Sequence, residues 1–305
     1  MGESALPDII FKELVTNPSE YSRILSIQSH VVHGYVGNKC SVFILQLHGY
    51  DVDPINSVQL SNHAGILFDD VGYKYVKGQK LDNIQLRDIY DGLQLNEINN
   101  YSHILTGYCG DASFLLEIAN IVKALKKKNP AVLFYCDPVM GDNGRYYVPK
   151  ELMPIYRDIL VPMADVITPN IFELSELIGF SINNETDCLK AINLMHESGI
   201  KTVVVTSGLE TSTTKFCYGS VYKEDTKQSV QYRFDIPIIP GMFVGTGDIF
   251  VSLLLVWMDK LKGDICLAIQ KVIGSLQGLL RKTAQKAYCA LFICYNCILL
   301  LFTSK

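Results

Sequence analysis

Gly245-Thr246-Gly247-Asp248 is the run in this chain best suited to chemistry on a phosphate. Glycine has no Cβ, so the backbone can approach a ligand closely and turn through positive φ. Apolar Ile249, Phe250, Leu253, Leu254 and Trp257 follow at helical spacing and predict a helix that starts at this turn. The first amides of a helix lack intrahelical partners and carry the positive end of its dipole, which together hold an anion. Asp248 sets a carboxylate beside that anion site, where it can accept a proton. Aspartate also caps helices after glycine turns, so the rest of the chain must decide between the two uses.

More polar residues fall just after apolar runs: Ser29-His30, Asp137–Asp142, Thr168-Pro169-Asn170 with Glu173, and Thr206-Ser207-Gly208. Each has an ordinary alternative in turn chemistry or helix capping. Their shared position is the signal, because an open parallel sheet builds its site beyond the carboxyl ends of its strands.

The elements that would carry them alternate. Strands are predicted at Arg23–Gln28, Asp51–Val58, His103–Thr106, Ala131–Cys136, Asp165–Thr168 and Thr202–Thr206. Helices are predicted from Asn38 to the stop at Gly49, then at Asp82–Ile98, Ala112–Lys127, Leu152–Leu160, Ile171–Ile178 and Thr186–Ser198. Gln59–Gly65 reads as a polar loop, and Lys215–Tyr222 with Ser229–Ile236 as a hairpin. Continuous apolar strands between helices indicate a parallel sheet covered on both faces, hence one α/β/α domain.

At 305 residues, 49% apolar and 19% charged, the chain can bury an ample core. A net charge of −4 and the absence of any basic stripe beyond Lys126-Lys127-Lys128 argue against a nucleic-acid partner. Nine scattered cysteines suit reduced thiols and a cytoplasmic location; the lone Cys294-Tyr295-Asn296-Cys297 has neither a second pair nor a nearby histidine for zinc. Residues 1–21 lack a basic region followed by an apolar run and read as a loose extension.

Taken in order, SIQSHVVHGYVGN (Ser26–Asn38), NSVQLSNHAG (Asn56–Gly65), LTGY (Leu105–Tyr108), CDPVMGD (Cys136–Asp142), ITPNIFE (Ile167–Glu173), VVVTS (Val203–Ser207) and FVGTGD (Phe243–Asp248) resemble the pyridoxal kinases of the ribokinase-like superfamily. The resemblance spans about residues 22–287. It implies a three-layer α/β/α fold with a central, mostly parallel sheet, and transfer of the ATP γ-phosphoryl group to the 5′-hydroxymethyl of pyridoxal, pyridoxine or pyridoxamine. On this reading Asp248 is the general base, and the amides of Gly245, Thr246 and Gly247 form an anion hole. Mg²⁺ falls to Asp142 and Glu173, the latter through water. Asp137, Thr168 and Thr206 lie near the phosphates and a monovalent cation, K⁺ or Na⁺. Asn170 and Ser207 contact phosphate, Ile239, Pro240 and Gly241 line the adenine side, and Tyr147 belongs to a loop over the nucleotide. Ser29 hydrogen-bonds the pyridine ring, Val36 and Tyr108 sandwich it, and Val58, Leu60 and His63 border it. The family's habit also implies a homodimer; no membrane partner is expected.

Three departures stand out. Ala64 replaces a threonine common in the family; losing one neutral hydrogen bond costs about 1 kcal/mol, so weaker substrate binding is expected, reversed by Ala64→Thr. Leu67–Val76 is several residues longer than the family's loop. Residues 288–305 form an apolar tail in place of a polar segment and closing strand, and its apolar run is short for a membrane span, which needs about 20 residues. Two other functions compete: a kinase for hydroxymethylpyrimidine or a sugar, and a catalytically weakened protein that binds a B6 vitamer or nucleotide.

Overall fold

The computed structural model describes residues 22–63 and 73–287. Residues 1–21, Ala64, most of the Leu67–Val76 segment, the apolar tail and its cysteine pair lie outside the described residues.

Alternation along the central strands divides the core in two. In β1 (Arg23–His33), Ile24 faces one cluster while Leu25 and Ile27 face the other. The same switch occurs at Ile104 and Leu105 in β4 (His103–Thr106), and at Phe134 and Tyr135 in β5 (Leu133–Cys136). It recurs at Val166 and Ile167 in β8 (Val166–Ile167), and at Val203 and Val204 in β9 (Thr202–Val205). Successive strand side chains point to opposite faces, so a sheet apolar at every position needs helices on both sides.

One face is covered by α1 (Asn38–Leu47), α7 (Thr246–Lys260) and α8 (Ile265–Ala287). The other is covered by α2 (Asn83–Leu95), α3 (Ala112–Lys128), the short α4 (Leu152–Ile155), α5 (Ile171–Ile178) and α6 (Glu185–Glu197). The result is the expected three-layer α/β/α arrangement. The sheet also includes β2 (Asp51–Asn62), β3 (Gly78–Lys80), β10 (Thr214–Lys223) and β11 (Gln228–Pro237), in the order β11-β10-β9-β8-β5-β4-β1-β2-β3. Pairing is parallel from β9 to β2 and antiparallel at both edges. A two-stranded ribbon, β6 (Gly141–Asp142) with β7 (Arg145–Tyr146), stands apart. Among the described residues no helix is long and apolar enough to cross a membrane.

Several boundaries differ from the sequence reading. β1 runs on to His33 and β2 to Asn62, where Ser29-His30 was expected to break one strand and Gln59 to open a loop. The pairing slips by one residue, from Gln28 opposite Asn56 to His30 opposite Gln59, then resumes. On its other edge β2 pairs with β3, so its polar stretch keeps backbone partners. The helix expected over Leu152–Leu160 is one α turn followed by a π segment at Tyr156–Leu160 and a 3₁₀ turn at Val161–Met163, because Pro162 offers no N–H to continue the ladder. α8 lies beyond the last predicted element and buries Ile265, Ala268, Ile269, Val272 and Leu279.

Candidate active site

Every expected site segment within the described residues emerges at one rim of the sheet. Strands β1, β2, β4, β5, β8 and β9 run the same way, and β11, two antiparallel steps from β9, ends on that side too. Their carboxyl ends deliver His63, Tyr108, Asp137, Thr168, Thr206 and the Ile239–Gly241 turn, while Ser29 lies within β1 where its register with β2 slips.

Two glycines press the β1–α1 loop against its neighbours. Gly37 has φ +52°, and a Cβ there would lie 2.1 Å from the carbonyl oxygen of Ser29. Gly245 has φ +80°, and a Cβ there would lie 2.3 Å from the carbonyl oxygen of Tyr35. Only glycine tolerates both the left-handed backbone and the approach. The loop that follows Ser29 is thereby seated on the turn that opens α7. Asp248 occupies the first turn of α7, and the Gly37 N–H donates to its carboxylate. Desolvation dominates its electrostatics and lifts its carboxyl from 3.8 to about 6, with that hydrogen bond pulling the other way. The side chain is half-buried, and it remains mainly ionised at neutral pH.

A second acidic group stands across the cleft. Asp137 is buried, and the Thr168 hydroxyl donates to it at 3.1 Å. Burial, reinforced by the charges of Glu173 and Asp248, pushes its carboxyl well above the usual range. Glu173, also buried, is pushed up to about 7 by desolvation, against three backbone amides that favour its charged form. Those amides belong to Met140 (2.9 Å), Gly141 (3.4 Å) and Asn170 (2.9 Å). Asn170 completes a capping box, accepting from the Glu173 N–H at 2.9 Å, and donates to the Gly141 carbonyl at 2.7 Å. Glu173 and Asn170 therefore brace the β5–β6 loop that presents Asp142, and both have these side-chain groups already engaged. Asp142 is half-buried and accepts from the Asn143 N–H at 2.8 Å.

The neighbouring strand end is tied in through its backbone. Thr206 N–H donates to the Pro169 carbonyl at 3.1 Å, and Ile171 N–H to the Ser207 carbonyl at 2.9 Å. Tyr147 leans toward this side: its phenol is raised to about 12 by burial and then by the charges of Asp142 and Glu173. Ile239 is half-buried while Pro240 and Gly241 are exposed.

On the opposite side, Ser29 is buried, Val36 and Tyr108 are half-buried, and Tyr108 accepts the Ser57 hydroxyl on its carbonyl at 2.9 Å. His63 stands near Gly34 and meets Tyr73 edge-on at 5.2 Å. Among the described residues no three His, Cys, Asp or Glu side chains gather to hold a metal by themselves. The sequence reading missed the contact of Gly37 with Asp248 and the role of Asn38, which it took as the residue opening α1. Gly37 is the N-cap, and the Asn38 side chain turns inward. The Gly37-Asn38 pair directly before a helical pattern was the available signal.

Residues 100–271 match the family described as Phosphomethylpyrimidine kinase. A Caenorhabditis elegans protein provisionally named pyridoxal kinase is 59% identical over 271 residues, covering 87% of this chain and 83% of the relative. Human pyridoxal kinase is 41% identical over 279 residues, covering 88% of this chain and 87% of its own. Among solved structures, pyridoxal kinase from Leishmania donovani in complex with ADP and pyridoxamine superposes with a TM-score of 0.80 at 36% identity, over 87% of this chain and 88% of that one. With its rim of strand ends, glycine turn and desolvated carboxylates, the chain belongs to the pyridoxal kinase family of the ribokinase-like superfamily.

Proposed function

We propose that Asp248 is the base that deprotonates the 5′-hydroxymethyl group of a B6 vitamer as the γ-phosphoryl group of ATP is transferred to it, giving the 5′-phosphate and ADP. The observation that carries this is the Asp248 carboxylate itself. It is desolvated, raised to about 6, held by the Gly37 N–H and set in the first turn of α7. A base with a pKa near the working pH is ionised yet basic enough to accept a proton. The amides of Gly245, Thr246 and Gly247 face the transferring group and stabilise the charge spread over its oxygens.

The acceptor is held by Ser29 and by the slot between Val36 and Tyr108, bordered by His63. The nucleotide lies along Asp137, Asn170, Thr206 and Ser207, under Tyr147, with its adenine toward Ile239, Pro240 and Gly241. Asp137, Asp142, Thr168 and Thr206 are all hard oxygen donors. Asp137 is buried with a hydroxyl as its polar partner and is paired with no cation among the described residues. This donor set fits Mg²⁺, held by one or two carboxylates with phosphate oxygens, and a monovalent cation beside Asp137 and the two threonines. When bound, the ions neutralise phosphate charge. Glu173 holds the loop carrying Asp142 in place.

The test is ATP-dependent phosphorylation of pyridoxal by the purified chain and by Asp248→Asn, with hydroxymethylpyrimidine and ribose as competing acceptors. Turnover of pyridoxal that vanishes in Asp248→Asn while ADP still binds supports the assignment. Unchanged turnover in that variant, or preference for another acceptor, overturns it.

A further inference from the structure

The stretch that binds the acceptor carries polar residues that the mechanism leaves unused. Ser26, Gln28 and Ser41 are fully buried, and Asn38 is 1% exposed. Buried polar groups are costly unless paired, and a paired network fixes geometry in a way apolar packing does not. Both amide atoms of Asn38 are paired, while Gln28 Oε1 has no partner among the described residues. Here the network converges on Asn38. Its Oδ1 accepts from the Ser26 hydroxyl at 2.8 Å, and its Nδ2 donates to the Ile55 carbonyl and to Asn56 Oδ1, both at 2.9 Å. Gln28 Nε2 donates to the hydroxyls of Ser26 (2.8 Å) and Ser41 (2.9 Å).

Location gives this network its meaning. Gln28 and Asn56 form the last register pair before the slip between β1 and β2, and Ser29 is the single residue inside that slip on β1. Directly before Asn38 stands Gly37, pressed against the Ser29 carbonyl and donating to Asp248. One side-chain amide thus ties both strands to the first residue of α1, one position from the contact with the base.

We propose that Asn38 is a positioning residue: it locks the β1–α1 loop so that Ser29 and Gly37 set the acceptor and Asp248 in a single alignment. The inference rests on the roles given above to Ser29 and Asp248. The proposed ADP contacts come from β5, β8, β9 and the turn after β11, the first of them braced separately by Glu173, and none hydrogen-bonds this amide.

The experiment uses the full chain with Asn38→Ala, Ser26→Ala, Ser29→Ala and Asp248→Asn. Calorimetric titration with ADP and with pyridoxal gives both affinities, and ADP stoichiometry counts folded sites. For Asn38→Ala the pyridoxal Kd should rise about tenfold and kcat per ADP site fall about tenfold or more, with the ADP Kd within about twofold, as expected for a small misalignment of reacting groups. Ser26→Ala, which removes one donor to Asn38, should move the same two quantities in the same direction by about threefold. Pyridoxal Kd and kcat per site unchanged in Asn38→Ala, or an equal shift in the ADP Kd, overturns the proposal. If Asn38→Ala does not fold, Ser26→Ala decides by the same criteria. Ser29→Ala should weaken pyridoxal binding and Asp248→Asn should abolish turnover. If neither does, the site assignment itself fails and the role of Asn38 falls with it.

Discussion

Asp248→Asn should cost the enzyme its turnover and leave the fold more stable above neutral pH. Burial lifts the carboxyl from 3.8 to about 6. Each pKa unit corresponds to about 1.4 kcal/mol, so holding this charge costs the folded state at most about 3 kcal/mol at pH 8. Its residual solvent exposure reduces that to about 1–2 kcal/mol. Asparagine keeps an oxygen for the Gly37 N–H and removes the charge. The sign follows from which state binds the proton. Above pH 6 both folded and unfolded wild type are ionised and the full penalty applies. As pH falls through 6 the folded state takes up a proton and the penalty shrinks; below 3.8 both states are protonated and it is gone. Urea unfolding of the two proteins at pH 8, 6 and 4 reads the difference directly. The variant should lead at pH 8, by less at pH 6, and match the wild type near pH 4. Release of Asp137 from its repulsion by Asp248 acts in the same direction. A variant less stable at pH 8, or a gap that does not change with pH, would refute the desolvation argument. Turnover should fall by about 10²–10⁴ above pH 6, the usual worth of a general base, and the gap should close below it as the wild-type carboxyl takes up its proton.

Three further outcomes follow from the same geometry. The acid limb of kcat/KM should bend near pH 6, falling about tenfold per unit below it as Asp248 takes up its proton, and a bend near 4 in a pH–rate profile would contradict the raised value. Gly245→Ala places a Cβ 2.3 Å from the Tyr35 carbonyl at φ +80°; the loop must retreat by about 1 Å, so kcat should drop about 10²-fold, and steady-state rates within twofold of wild type would count against it. Glu173→Gln sets an amide donor against backbone donors that now meet two carboxylate oxygens. It should lower unfolding free energy by about 1–3 kcal/mol and raise the KM for ATP; a neutral denaturation curve would argue that the brace is dispensable.

The parts of this molecule governed by local rules were legible in the sequence. α5 spans the predicted Ile171–Ile178, opened by the Asn170 capping box, and Lys126–Lys128 close α3 in its last turn. The alternation of strands and helices placed the polar residues at one rim, because direction in a parallel sheet follows from connectivity. What the sequence concealed depends on partners far along the chain. Gln59–Asn62 looks like a loop because its side chains are polar, yet β3 supplies its backbone partners from about twenty residues on. Asn38 looks like a helix opener because asparagine favours that place, while its amide serves strands 12 and 17 residues upstream and downstream. For Glu173 the capping box announces the Asn170 N–H on Oε2, but no local rule announces that Oε1 accepts from amides of a loop 32 and 33 residues earlier.

Strand order has a consequence for distance. Adjacent strands lie about 4.8 Å apart, so β1 and β5, which flank β4, stand about 10 Å from one another. On the proposed assignment the acceptor is anchored above β1 and the nearest phosphate contact, Asp137, stands above β5, so donor and acceptor oxygens would meet over the strand between them. β4 passes straight into Gly107, a residue without a side chain. The sheet acts as a ruler with a blank mark at its centre, and the gap that the phosphoryl group crosses is set by backbone spacing.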